Sequence, residues 1–126
     1  MRALMLIAAT ALTVSCTRPV SPSGSGYADA IAGRVAGKPQ TCIQNNAAEN
    51  LQVLDPQTLA YGHGRTIFIN RLGTSCPALN QWNTIVVEAS TGGNYCRGDR
   101  VRGLEPGAII PGPSCNLDYW VPYRQP

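Results

Sequence analysis

The sequence predicts a small, mainly β domain: an antiparallel sheet curled into a barrel or sandwich, with one short N-terminal helix and two disulfides. Three observations predict it. Short stretches of alternating apolar and polar residues recur at close spacing between turn-forming residues, as successive antiparallel strands require. Four cysteines, Cys42, Cys76, Cys96 and Cys115, are spread through residues 27–126 with no Cys-x-x-Cys pair, a spacing that reads as cross-links rather than a zinc knuckle. A domain of this size buries only roughly 60–65% of the surface its unfolded chain exposes. Disulfides worth about 2–4 kcal/mol each would therefore be a large part of its stability.

The elements follow in order. From Tyr27 to Ala36, Ala28, Ile31, Ala32 and Val35 fall at helical spacing, with Ser25 as a cap and Gly37 and Pro39 as a stop. Gly33 and the small Ala-rich face weaken this helix, so it needs the domain to dock on. At Pro39 the period changes to two. Thr41-Cys42-Ile43 reads as a short strand, followed by a polar loop through Asn45, Asn46 and Asn50. Leu51 and Val53 alternate, Asp55-Pro56-Gln57-Thr58 is a type I turn with Asp first and Pro second, and Leu59 and Tyr61 alternate again. After a second turn at Gly62-His63-Gly64-Arg65, Ile67 and Ile69 complete a three-stranded meander.

The loop Gly73 to Pro77 leads through Leu79 and Trp82 to Thr84-Ile85-Val86-Val87-Glu88, the most apolar strand and the one expected at the centre of the sheet. Thr91-Gly92-Gly93-Asn94 turns the chain into Tyr95 and Cys96, and a strand at Val101 to Leu104 ends at Glu105-Pro106-Gly107. Pro111-Gly112-Pro113 is a stiff loop. Cys115, Leu117, Tyr119 and Val121 then share one face at period two, which sends Tyr119 inward and Trp120 outward. Four cysteines allow three pairings. If Cys115 faces the core, a bond to Cys76 would pin the last strand to the meander and leave Cys42 with Cys96.

The first residues give an address. Residues 1–15 carry Arg2 and then an apolar run from Ala3 to Val14 interrupted only by Thr10 and Thr13. Such a run is shorter than the about 20 residues that a spanning helix needs, and it fits a secretory signal peptide. Cys16 follows at once, as the acylated cysteine of a bacterial lipoprotein would. Thr13 stands where a lipoprotein signal usually has Leu, with Leu12 one place early, so cleavage near Ser15 by ordinary signal peptidase is the competing reading. The chain has five cysteines, and acylation of Cys16 would leave an even four. Residues 16–26 read as the lipidated cysteine and a Pro/Ser/Gly tether that cannot bury enough apolar surface to fold. Thr17, rather than Asp, follows Cys16, which favours an outer-membrane lipoprotein facing the periplasm over a periplasmic or secreted protein.

Charge and motifs narrow the chemistry. Ten basic residues face seven acids, and loss of Arg2 leaves nine, without the clustered basic face of a nucleic-acid binder. Arg97, Arg100 and Arg102 are interrupted by Asp99. His63, the one histidine, lies between two glycines in a turn, where nothing holds a general base in place. Ser75, Ser90 and Ser114 lie in loops without a histidine to recruit and without a Gly-x-Ser-x-Gly elbow, so no catalytic residues are assigned. No cofactor is expected. Arg97-Gly98-Asp99 matches an adhesion tripeptide, but a turn is its ordinary reading. Trp120 and Tyr123 at the end form a candidate contact patch, because outward aromatics are enriched at binding sites.

The landmarks Gly33-Arg34, Gly37-x-Pro39-x-x-Cys42-Ile43, Asp55-x-x-Thr58, Asn70-x-Leu72, Cys76-Pro77-x-Leu79, Cys96-x-Gly98-Asp99-x-Val101 and Cys115-x-Leu117 resemble a family of small exported proteobacterial proteins of unknown function, over about residues 31–121. The resemblance implies an envelope or secreted protein, with Cys16 outside the four family-like cysteines, and carries no catalytic residues. The function expected is therefore a non-enzymatic envelope lipoprotein, anchored to the membrane, that binds an envelope protein or serves a structural role. One alternative is a proteinaceous inhibitor of an envelope hydrolase, which a protruding rigid loop at Gly107 to Ser114 would favour. Another is a hydrolase using distant carboxylates, which two acids converging in a deep cleft would favour.

Overall fold

A computed structural model describes residues 25–46 and 48–126. Ten strands and one helix follow one another: α1 (Ser25–Ile31), β1 (Val35–Ala36), β2 (Cys42–Gln44), β3 (Leu51–Asp55), β4 (Thr58–Tyr61), β5 (Thr66–Arg71), β6 (Thr84–Glu88), β7 (Asn94–Cys96), β8 (Arg100–Leu104), β9 (Cys115–Asn116) and β10 (Trp120–Arg124). All strand pairings are antiparallel. The mainly β class, the single short helix and the two disulfides stand as the sequence predicts, but the strands divide among three sheets instead of one. A five-stranded sheet has the order β1-β10-β5-β4-β3, β2 pairs with β7, and β6-β8-β9 form the third.

The helix is shorter than its apolar spacing predicts. Gly33 adopts φ 69° just beyond Ile31, and the Arg34 amide donates to the Ile31 carbonyl at 3.0 Å, so the chain leaves the helix there. Val35 and Ala36 become a strand opposite Arg124 and Tyr123. At the other end, Ser25 and Gly26 belong to the helix rather than to a tether. Gly26 lies against the Leu54 carbonyl, where a Cβ would come within 2.9 Å.

The five-stranded sheet has two dressed faces. Ala60, Ile67 and Ile69 point at α1 and pack with Tyr27, Ala30 and Ile31. The alternate residues Leu59, Tyr61, Phe68 and Trp120 point the other way into the main core, where Ile43 of β2, Val101 of β8, Leu72, Leu79 and Leu117 meet them. The two-residue tip Pro56-Gln57 follows from its sequence. The Asp55 carboxylate accepts from the Gln57 amide at 2.8 Å, and the Pro56 carbonyl accepts from the Cys76 amide at 2.7 Å, which anchors the loop after β5.

Disulfides join Cys42 to Cys96 and Cys76 to Cys115, across 54 and 39 residues of chain. The first ties β2 to β7 at directly opposed positions. The second ties β9 to the loop after β5. β6, the most apolar strand, lies at the edge of its sheet and not at the centre. Ile85 and Val87 reach the core from that edge and remain half-exposed, while their opposites Gly103 and Val101 are buried.

Candidate functional site

Strand β10 determines which aromatics can touch a partner. The period-two face drawn from Cys115 through Val121 breaks at 117–119, because β9 pairs with β8 in one sheet and β10 with β5 in another. Asn70, fully buried, holds that crossing like a short piece of backbone. Its Nδ2 donates to the Asp118 carbonyl at 2.8 Å, and its Oδ1 accepts from the Asp118 amide at 2.9 Å. The phase resets, so Trp120 is 0% exposed and Tyr119 lies at the surface, the reverse of the sequence expectation. Trp120 packs edge-on against Tyr61 and cannot contact a partner. Tyr123 is half-buried on the helix side and shares a hydrogen bond of 3.2 Å with the Tyr27 hydroxyl. That bond, then burial, raises the Tyr123 phenol above its ordinary pKa. The patch of Trp120 and Tyr123 is thus not formed.

The other nominated residues have structural partners. The His63 Nδ1 and the Glu49 carboxylate are 2.7 Å apart on an exposed turn. Ser75 and Ser114 are exposed loop residues. The Ser90 hydroxyl donates to Asp99 at 2.7 Å, with the Ser90 and Cys96 amides donating to the same carboxylate at 3.1 and 2.8 Å. Burial pushes the Asp99 carboxyl up, but the hydrogen bonds from Cys96 and Ser90 outweigh it, so its pKa lies below the ordinary value. The Arg97-Gly98-Asp99 tripeptide is a turn with its aspartate facing inward, which removes it as an adhesion loop. Arg97 instead stacks over Tyr119 at 4.5 Å and reaches Asp118 at 3.3 Å.

Glu88 pairs with Arg100 at 2.8 Å and Arg102 at 2.9 Å. Glu49, Asp55, Glu88, Asp99 and Asp118 therefore each face a basic side chain or an amide donor, not a second carboxylate. No cluster of metal-ligating side chains occurs among the described residues. Cys16 lies outside the described residues, as do tether positions 17–24.

Two loops carry exposed apolar side chains; the first overlaps the Gly107 to Ser114 loop on which the inhibitor alternative depends, and the second, at Trp82, is not among the residues the sequence nominates. Every residue from Glu105 to Ile110 is exposed, with Ile109 at 92% and Ile110 at 82%. The base of this loop is clamped. The Gly112 amide donates to the Gly103 carbonyl at 2.8 Å, Pro111 and Pro113 stiffen the return, and the Cys76–Cys115 bond lies just beyond. Gly103 is pressed so closely on the Ala78 carbonyl that no Cβ fits between them. A cleft of about 490 Å³ runs between this loop and residues 76–83, lined by Pro77, Ala78, Asn83, Ala108 and Ile110. On the far side of residues 76–83, Trp82 is 81% exposed above a groove floored by Val53, Leu54 and Leu79. The available signal was an apolar pair, Ile109-Ile110, set between Pro-Gly and Pro-Gly-Pro, where a loop cannot bury it.

Comparison with protein-family models, with curated proteins and with solved structures gave no match to this chain.

Proposed function

We propose that this chain is an exported lipoprotein of the cell envelope, held to the outer membrane through acylated Cys16, that acts by binding another envelope protein. Kinship with the small exported four-cysteine family belongs to the same proposal. The observation that carries it is the pairing of Cys42 with Cys96 and Cys76 with Cys115, which leaves Cys16 as the fifth cysteine and gives acylation a reason. Two disulfides in a small β domain are compatible with export. The binding role draws on the clamped Glu105–Ile110 loop, since a stiff loop loses little conformational freedom when a partner captures it.

The same loop favours a second reading, inhibition of an envelope hydrolase. A projecting apolar tip on a disulfide-braced base suits insertion into another protein's cleft. Capture of the tagged chain from detergent-solubilised envelopes, run beside Ile109→Ser and Ile110→Ser variants, tests the binding role. A stoichiometric protein retained by the parent chain and lost with the variants is the expected result. The same partner retained equally by both variants would remove the loop from the account. A partner with hydrolase activity, blocked by the parent chain and not by the variants, would select the inhibitor.

A further inference from the structure

We infer that β6 pairs with β6 of a second copy, joining two β6-β8-β9 sheets across a two-fold axis into one continuous six-stranded sheet. Unpaired edges invite association, and natural proteins blunt them with shortness, bulges, proline or charge. The other edges here are blunted. β1 and β9 are two residues long, β3 carries a register shift between Val53 and Asp55 with Pro56 after it, and β2 and β7 are three residues long and cross-linked. β6 has no bulge, no proline and a single charge. It is five residues, T-I-V-V-E, in unbroken register with β8 and without lysine or proline. Its one charge, Glu88, is held by Arg100 and Arg102.

The strand suits its own copy in particular. Antiparallel pairing centred on Val86 sets Ile85 opposite Val87 and Thr84 opposite Glu88. The apolar pairs then continue the core face of the sheet, and no like charges face each other. Because this register matches residues two or four apart, outward-facing amides and carbonyls of one strand meet outward-facing groups of the other. Trp82, in the turn just before β6, stands at the strand end that the second copy's Ala89 and Ser90 flank. Ala89 and Ser90 border an open groove of about 480 Å³ that Arg97 and Arg100 also line. An exposed indole at that end has an open groove to enter, and the two-fold axis makes the contact twice. The inference does not depend on the lipid anchor or on the Ile109–Ile110 loop.

Sedimentation equilibrium of the chain as purified from cells, disulfides intact, tests it. The expected result is reversible dimerisation within concentrations up to about 1 mM, with a concentration-dependent blue shift of Trp82 fluorescence. Val86 lies on the outer face opposite Arg102, and circular dichroism checks that Val86→Lys keeps the fold. It sets two ammonium groups against each other at the axis and should weaken the dimer at least about tenfold. Trp82→Ala, which cannot unfold the core, should weaken it by a smaller factor. A monomer over the whole range, with native circular dichroism, would overturn the inference, as would a dimer unchanged in both variants.

Discussion

The Asp99 carboxylate accepts from the Cys96 amide, the Ser90 amide and the Ser90 hydroxyl, while the backbone of the same residue bonds to Cys96 and Leu117. The side chain thereby joins the turn after β6 to the end of β7, and the backbone of the same residue ties both to the crossing toward β10. Its folded pKa is depressed, so its contribution is fully present above the unfolded carboxyl value, near about pH 4, and fades as pH falls through the folded value. Asp99→Asn should lose about 2 kcal/mol at neutral pH and should flatten the decline in Tm below about pH 4. Thermal melts of both proteins between neutral and strongly acid pH check this. At this scale the sequence was legible where one residue's role is local. The Asp55 turn could be read because its partner Gln57 is two residues away, and His63 because it lies on an exposed turn, whereas its contact with Glu49, 14 residues away, could not. Trp120 could not, because its direction depends on Asn70, which is 50 residues away in sequence and sets the phase of β10 through Asp118.

Between residues and fold stand the elements, and here the clamped loop depends on a glycine. A Cβ at Gly103 would collide with the Ala78 carbonyl oxygen, a backbone atom that cannot swing aside. Gly103→Ala should cost about 3 kcal/mol and should release the loop from residues 76–83. Chemical denaturation reads the first effect, and faster hydrogen exchange at the Gly112 amide reads the second. The hairpins were legible because turn residues and period two agree over a short span, as at Leu51 to Tyr61. The helix was over-extended because Ala32 and Val35 match a helical period as well as they match a turn and an edge strand, and Gly33 decides between them. β6 was placed at the centre because its composition says buried. Hydrophobicity alone does not distinguish a central strand from an edge awaiting a partner.

The whole molecule is a five-stranded sheet covered by α1 on one face and by two smaller sheets on the other, with a disulfide reaching each of the smaller sheets. Division into three sheets was not legible because alternation reveals strands and not which strand pairs with which. Crossings such as that at 117–119 are fixed by contacts distant in sequence. The cysteine framework was legible in number, and the structure selects one of the three pairings. The account rests on those two bonds being complete and on Cys16 standing outside them. Intact-mass measurement of the unreduced chain extracted from membranes tests this most directly. The predicted mass is that of a chain beginning at Cys16, carrying two or three acyl groups, and about 4 Da below its fully reduced form. A chain with an unmodified Cys16 thiol, or one cut after it, would contradict the account.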